Sequence, residues 1–551
     1  MKKRITAILL LLCMLLGVVG CTGDGTDKPT EAPTEAPTEP PVQSIEPNVI
    51  DDGNKNWYQI YVKSFFDTDG DGVGDLGGVI QKLSYIKDLG YDGIILMPVC
   101  PADEYHGKDV LDFCAIDPSV GNEQGFDSLM AAAHDIGITV LVDLGLNTTS
   151  ASHPYFTGFY NYIKNQGYVY DTIVDGEEYK DFYELAAAGT TGHETIEGTG
   201  YAYKTWYSRP KLNPDSEGLR TEIVNIMKYW LEERGVDGFR LTEMECYYFD
   251  EAQNIDFVSW LTTEANKLAP EAYILGELSV IDGEVAASYY ESGIDSIQLF
   301  TSADATGSLA GCLKIHSGTA LGELMVELQK TYGDNITTTY IASNSTSNRP
   351  ASYLSGIQNI KMLAGIQLIM NGSISTLYGD EIGMISRDGA SSDSAKLSGF
   401  KWTDSNYNTG YCSNSPTPNA NASYIYAAAD KQSEDENSIL NFYRNMLYVR
   451  SCLPSIARGK VENVELEGNG SVCVVTKTYG DEKITVVINL AAPTDLSDVS
   501  TGAREVTLDK KTLGYEGIIA SLCAYDITLE SSYDETTELL VMPPYSIVIL
   551  K

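Results

Sequence analysis

Positive charge is what this chain has least of. Its 551 residues carry 37 Lys+Arg against 77 Asp+Glu, a formal net charge of −40 at pH 7. Nucleic acids are held by cationic surface that displaces counterions, so they are excluded as partners. The balance suits a neutral ligand such as a sugar, or bound cations, and most of it serves solubility. Long apolar runs are scarce as well. Beyond the N-terminal segment no stretch of roughly 20 apolar residues occurs, so nothing else is expected to span a bilayer. Cysteine spacing of the zinc-binding kind is also missing: the 10 cysteines include no Cys-x-x-Cys pair.

What is there begins with an export signal. Lys2-Lys3-Arg4 supplies a basic region and Ile8 to Val19 an apolar core. The segment ends Val18-Val19-Gly20-Cys21, a small residue before a cysteine, which resembles the bacterial lipobox. Residues 1–20 are therefore expected to be a lipoprotein signal peptide, with Cys21 lipidated after cleavage. The expected location is the outer face of a bacterial membrane, held by the lipid anchor only. Residues 21–50 read as a linker built on Thr30-Glu31-Ala32-Pro33-Thr34-Glu35-Ala36-Pro37-Thr38-Glu39-Pro40-Pro41, which has no apolar face to bury. Extended at about 3.1 Å per residue, it reaches roughly 90 Å. The cysteines of the remaining body are scattered. Export permits disulfides, and Cys100 with Cys114 is the nearest candidate pair. Free buried thiols are the other reading.

From Trp57 onward short apolar runs alternate with amphipathic helical stretches. Candidate strands are Trp57–Ser64, Gly93–Met97, Thr139–Leu144, Gly238–Leu241, Tyr273–Gly276, Ser296–Phe300, Thr338–Ala342 and Ile374–Tyr378. Helical patterns such as Val79–Leu89, Phe126–Ile136, Leu219–Arg234 and Phe257–Leu268 separate them. This alternation predicts an α/β fold, a (β/α)8 TIM barrel spanning residues 51–458, with its site at the C-terminal ends of the strands. About 148–212, after the third strand, is too long for one loop and is expected to be a small inserted domain. After a final helix, Ile439–Leu453, the strands Val472–Tyr479, Lys483–Asn489 and Tyr545–Leu550 predict a C-terminal antiparallel β-sandwich over 459–551. Tyrosines crowd the insertion: Tyr155, Tyr160, Tyr162, Tyr168, Tyr170, Tyr179 and Tyr183, with Trp206 and Tyr207 at its end. Such rings fit either a platform for the C–H faces of sugars or the core of a small domain.

Several ordered segments carry a family likeness. They are Trp57-Tyr58-Gln59-Ile60-Tyr61, the loop Asp67-Thr68-Asp69-Gly70-Asp71-Gly72-Val73-Gly74-Asp75, Leu96-Met97-Pro98, Tyr105-His106-Gly107-Lys108-Asp109-Val110 and Leu377-Tyr378-Gly379-Asp380-Glu381-Ile382-Gly383-Met384. Together with Gly238-Phe239-Arg240-Leu241-Thr242-Glu243, they resemble glycoside hydrolase family 13, the α-amylase family, and within it the oligo-1,6-glucosidase and neopullulanase-like members. The resemblance implies an α-glucan ligand such as starch or maltooligosaccharide. It also implies a structural calcium in the acidic loop, with Asp67, Asp69, Asp71 and Asp75 ligating by side chain and Val73 by its carbonyl. Hard oxygen donors suit that hard cation.

The departures lie where the family does its chemistry. Retaining cleavage needs a nucleophile and a general acid, two carboxyls roughly 5–5.5 Å apart. Glu277 matches the family acid, but Thr242 stands where the nucleophilic aspartate belongs, and Thr346 where the third carboxylate belongs. Thr148 and Ser345 replace two sugar-facing histidines, Lys108 replaces the tyrosine under the sugar, and Glu245 and Cys246 replace a lysine and a histidine. Arg240, His106 and Asp143 remain as substrate-side groups. A hydroxyl is a poor nucleophile without an activating base. Nor does Glu243 fit that role on strand alternation: if Arg240 and Thr242 face the pocket, Glu243 faces away. The expectation is an anchored, non-hydrolysing family member that binds α-glucan, with Trp206 and Tyr207 among the binding residues. The alternatives are an active hydrolase with a rebuilt site, and a protein-interaction module on the same scaffold.

Overall fold

The computed structural model describes residues 46–551 apart from 51, 166–175, 279–282, 300–307, 333–335, 387–395, 405–409, 416–425, 465–468 and 496. The signal peptide, Cys21, most of the linker, Tyr168 and Tyr170 lie outside the described residues.

Along the chain come β1 (Asn56–Ile60), β2 (Gly93–Leu96) and β3 (Thr139–Leu144). The insertion follows, with β4 (Leu185–Ala187), β5 (His193–Thr195), β6 (Tyr201–Trp206) and β7 (Arg209–Pro210). Then come β8 (Gly238–Leu241), β9 (Tyr273–Leu278), β10 (Ser296–Leu299), β11 (Thr338–Ile341) and β12 (Ser373–Leu377). The strands of the barrel close in the order β1-β12-β11-β10-β9-β8-β3-β2, all parallel. Each expected barrel strand is present. The first is shorter than its pattern, because Val62–Ser64 turns into a 3-10 helix.

Strand alternation builds the barrel interior in layers. Trp57, Ile95, Leu141, Tyr273 and Leu275 pack together as a dry layer inside the barrel. Tyr58, Ile94, Val140 and Ile274 point the other way and join the large core beneath the helices. Gly93 makes room for this packing, since a Cβ there would stand 2.3 Å from the Trp57 ring. Two residues further along β1, β3 and β9, side chains face inward again, and these are polar: Gln59, Asp143 and Glu277. The sequence thus places a polar layer on top of an apolar one at the C-terminal ends of the strands.

The insertion folds as a small antiparallel sheet, β4-β6-β5 with β7 on β6, against the helix Pro154–Asn165. Its tyrosines serve mainly as core. Tyr183 is fully buried against Phe156 and Phe159, while Tyr155, Tyr160, Tyr162 and Tyr179 pack partly buried on the same cluster. The core reading holds for Tyr183, and the other four rings pack one side on the same cluster.

The C-terminal part adds β13 (Lys460–Asn463), β14 (Val472–Tyr479), β15 (Glu482–Asn489), β16 (Arg504–Thr507), β17 (Ile518–Cys523), β18 (Ser532–Asp534), β19 (Leu539–Met542) and β20 (Ser546–Leu550). They form two antiparallel sheets, β13-β14-β15-β20-β17 and β16-β19-β18, which share a core of Val474, Val487, Val506, Leu540 and Val548. A buried lysine of β14 joins this part to the barrel. Arg450 donates to the carbonyls of Leu368 and Met370 at 2.9 and 2.8 Å, and Lys477 donates to that of Ile369, so the C-terminal carbonyls of the helix Ile357–Ile369 are satisfied. All eight cysteines of the body, Cys100 and Cys114 included, are free thiols.

Candidate functional site

The polar layer is organised by Arg240 of β8. Its Nε donates to Asp143 Oδ1 at 2.7 Å and its Nη2 to Asp143 Oδ2 at 2.6 Å, a bidentate pair reaching across to β3. Nη1 donates to Gln59 Oε1 at 2.7 Å and to Gln298 Oε1 at 3.4 Å. Both partners of the ion pair are buried. Burial pushes the Asp143 carboxyl up, and Arg240 opposes the shift. For Arg240 burial acts against the charge, and the carboxylates of Asp143 and Glu277 outweigh it, raising the guanidinium.

Glu277 sits half-buried on β9, and Asn344 Nδ2 donates to its Oε1 at 3.4 Å. Asn344 is held by its own loop: its Oδ1 accepts from the backbone of Thr346 at 2.9 Å and of Ser347 at 2.7 Å. The turn leaves Thr346 exposed at the rim and Ser345 half-buried. The side chain reaching Glu277 from this loop is therefore Asn344, which the sequence reading passed over.

Thr242 and Glu243 follow β8, and here alternation fails. Glu243 has φ 50, a left-handed backbone, and both residues line one small pocket together with Asp143, Asn147, Thr148 and Lys108. The expectation that Glu243 faces away is corrected, because the strand ends at Leu241 and the turn redirects the next side chains. Asn147 Nδ2 holds the turn, donating to the Glu243 carbonyl at 3.0 Å and the Thr242 carbonyl at 3.4 Å. The Glu243 carboxylate lies 3.7 Å from Lys108 Nζ. His106 stands beside it and accepts from the Lys108 backbone N–H through Nδ1 at 3.0 Å. Burial, with Arg209 and Lys108 nearby, lowers the His106 pKa below its usual value, and Asp109 opposes the shift.

At the rim, β6 ends at Trp206 and Tyr207 follows it. Tyr207 and Ser208 have φ 49 and 62, the two left-handed positions of a tight hairpin closed by the pairing of Trp206 with Arg209. The turn pushes Tyr207 out, 75% exposed, over the outer cavity that His106, Lys108, Arg209 and Thr346 also line. Phe249, from the loop after β8, is 72% exposed and joins them. Its ring centroid lies 5.8 Å from that of Trp206, which is 5.1 Å from Tyr207. Lys204 Nζ stands 4.6 Å over the Phe249 ring. Phe249 and Arg209 carry no signal in the sequence, since nothing in a linear pattern announces that a loop aromatic stays in water.

The acidic loop after β1 brings Asp67, Asp69 and Asp71 together, with carboxylate oxygens all within 4.8 Å of one another. Three converging hard donors fit a calcium ion. Asp75 lies outside this group. It caps the helix Leu76–Leu89, accepting from Gly78 N at 2.8 Å, and also accepts from Thr68 N at 2.7 Å. Val73 donates its N–H to Asp71 at 2.7 Å.

Residues 59–459 match the family described as alpha amylase, catalytic domain. The chain is 32% identical over 448 residues to alpha-amylase 3 of Dictyoglomus thermophilum, covering 79% of this chain and 85% of that protein. It is 26% identical over 519 residues to an oligo-1,6-glucosidase of Bacillus cereus, covering 79% and 90% of the two. Among solved structures, Amy13B of Eubacterium rectale superposes with a TM-score of 0.81 at 31% identity, over 92% of this chain and 97% of that one.

Proposed function

This chain belongs to the α-amylase family of glycoside hydrolases, and from that premise we propose that it binds α-glucan without cleaving it. Members of the family are glycoside hydrolases, and relatives named alpha-amylase and oligo-1,6-glucosidase supply the ligand class. The observation that carries the reading is the residue at the end of β8. By resemblance the nucleophile belongs there, and the side chain is the hydroxyl of Thr242, with no carboxylate at Thr346 to support it. Glu277 alone can donate a proton to a leaving oxygen, but nothing at Thr242 can attack the anomeric carbon or hold its developing charge. Binding needs less. The exposed rings of Tyr207 and Phe249, with Trp206 between them, offer apolar faces to the C–H faces of glucosyl units, and polar groups along the outer cavity meet the hydroxyls.

The reading includes a lipid anchor at Cys21 and a structural calcium in the Asp67–Asp71 loop. Many anchored copies engaging one polymer would add avidity to a weak site. One observation favours a second reading, hydrolysis through a rebuilt site: the left-handed turn brings the Glu243 carboxylate to the same pocket as Thr242. Electrophoresis through starch gels tests binding, with Trp206 and Tyr207 changed to alanine as the control. Release of reducing ends from maltooligosaccharides, abolished by Glu277→Gln, would favour the second reading. A folded protein with no affinity for any α-glucan would favour a protein-interaction role.

A further inference from the structure

Two cavities adjoin at the C-terminal ends of β3 and β8. The inner one, over Asp143 and Thr242, has a volume of about 40 Å³. That is space for roughly three water molecules by the usual measure, and far below the roughly 300 Å³ of a small-molecule site. The outer one, under Tyr207, measures about 670 Å³. Lys108, Arg209 and Glu243 line both and so form the partition between them. Lys108 Nζ and Glu243 Oε1 approach to 3.7 Å, with the two side chains 22% and 28% exposed.

Tight backbone turns present both charges. Lys108 follows Gly107, whose φ is 77, and its N–H is fixed on His106. Glu243 takes φ 50, and Asn147 holds its carbonyl. A sugar ring entering the inner pocket would therefore have to displace an ion pair and strip water from both charges.

We propose that the Lys108–Glu243 pair is a specificity plug: it keeps the ends of α-glucan chains out of the inner pocket, so that ligands lie across the rim by their sides. This rests on the α-glucan-binding reading and adds which part of the chain is recognised. A ligand's free end then contributes nothing, and a cyclic glucan should bind as a linear one does.

Calorimetric titrations of the full chain with maltose, maltoheptaose and β-cyclodextrin test it, the last two having the same number of glucosyl units with and without ends. The protein is expected to bind maltoheptaose and β-cyclodextrin within about threefold of each other, and maltose not measurably. The double variant Lys108→Ala, Glu243→Gly opens the inner pocket. Glycine suits the left-handed position, so the fold should survive, and an unchanged melting temperature checks this. The variant is expected to bind maltose and to prefer maltoheptaose over the ring by tenfold or more. If the native protein already binds maltose, or strongly prefers maltoheptaose, or the variant gains nothing, the plug is overturned while α-glucan binding stands. Maltose binding by the variant alone, with no glucan bound by the native chain, supports the plug and overturns the wider reading. Absence of binding by both overturns both.

Discussion

A hydroxyl and a carboxylate at the end of β8 differ by one charge and by the chemistry that charge permits. Thr242 keeps a polar group in the pocket but cannot carry a covalent glycosyl intermediate without a base, and its nearest carboxylate neighbour in sequence, Glu243, is paired to Lys108. The substitution itself was legible from the sequence, as were Arg240, Asp143 and Glu277 on neighbouring strands. The direction of Glu243 was not, because alternation holds only while the backbone is extended. A second buried carboxyl is informative about stability. Glu381 accepts from Tyr58 Oη at 2.5 Å, Tyr85 Oη at 2.9 Å and Gly379 N at 2.7 Å, yet burial, the largest influence, raises its pKa from 4.5 to about 7. The folded state therefore holds a proton that the unfolded chain releases. This contribution is full below about pH 4.5 and is lost as pH rises through about 7, a change of about 3 kcal/mol. Melting temperature is expected to fall across that interval, and the part of the slope due to this group should vanish in Glu381→Gln. An identical slope in the variant would assign the pH dependence elsewhere.

Two short elements carry much of the functional argument. The hairpin between β6 and β7 places Tyr207 and Ser208 in the left-handed region without the Asn-Gly pair that such turns favour. Ser208→Gly should relieve the left-handed strain, worth about 1–2 kcal/mol, against an entropy cost of about 0.5–1 kcal/mol for glycine, so a small net stabilisation is expected from a denaturant midpoint, with sugar binding kept because Tyr207 is untouched. Destabilisation would mean that the hydroxyl, and not the backbone, is what the turn needs. The hairpin was invisible in the sequence for the same reason: residue types gave no turn signal, and only closure of β6 on β7 imposes it. The barrel strands were legible because parallel strands buried on both faces read as short apolar runs. The tyrosine-rich insertion was ambiguous, since the same rings serve a core or a surface, and packing against Phe156 and Phe159 assigns Tyr183 to the core. The Asp67–Asp71 loop, proposed to hold calcium, gathers three carboxylates whose mutual repulsion a cation would relieve. Ligand binding to the native state alone raises stability. Chelation should lower the melting temperature, and Asp69→Ala with Asp71→Ala should abolish the response. A melting curve indifferent to chelator, with no metal by elemental analysis, would remove the ion from the account.

At the scale of the whole molecule, the barrel, its insertion and the C-terminal sheets were read from alternation of strand and helix patterns followed by strands alone. Their seam was not, because it depends on a buried lysine, Lys477, meeting the helix-end carbonyl of Ile369 far away in sequence. The chain enters the barrel at β1 after a Thr/Glu/Pro-rich stretch with a cysteine before it. If Cys21 carries lipid, Cys21→Ala should move the protein from the membrane to the soluble fraction with its melting temperature unchanged. An unmodified Cys21 by mass spectrometry would remove the anchor. On the proposed reading, a lipid-anchored scaffold with a narrow inner pocket and an exposed aromatic rim would hold a glucan rather than consume it. Proton NMR of maltoheptaose in the presence of the full chain reads holding and cleavage in one sample. The account predicts saturation transfer from protein to sugar, with the anomeric signals unchanged over days. New anomeric signals that grow with time, and are absent with Glu277→Gln, would contradict it.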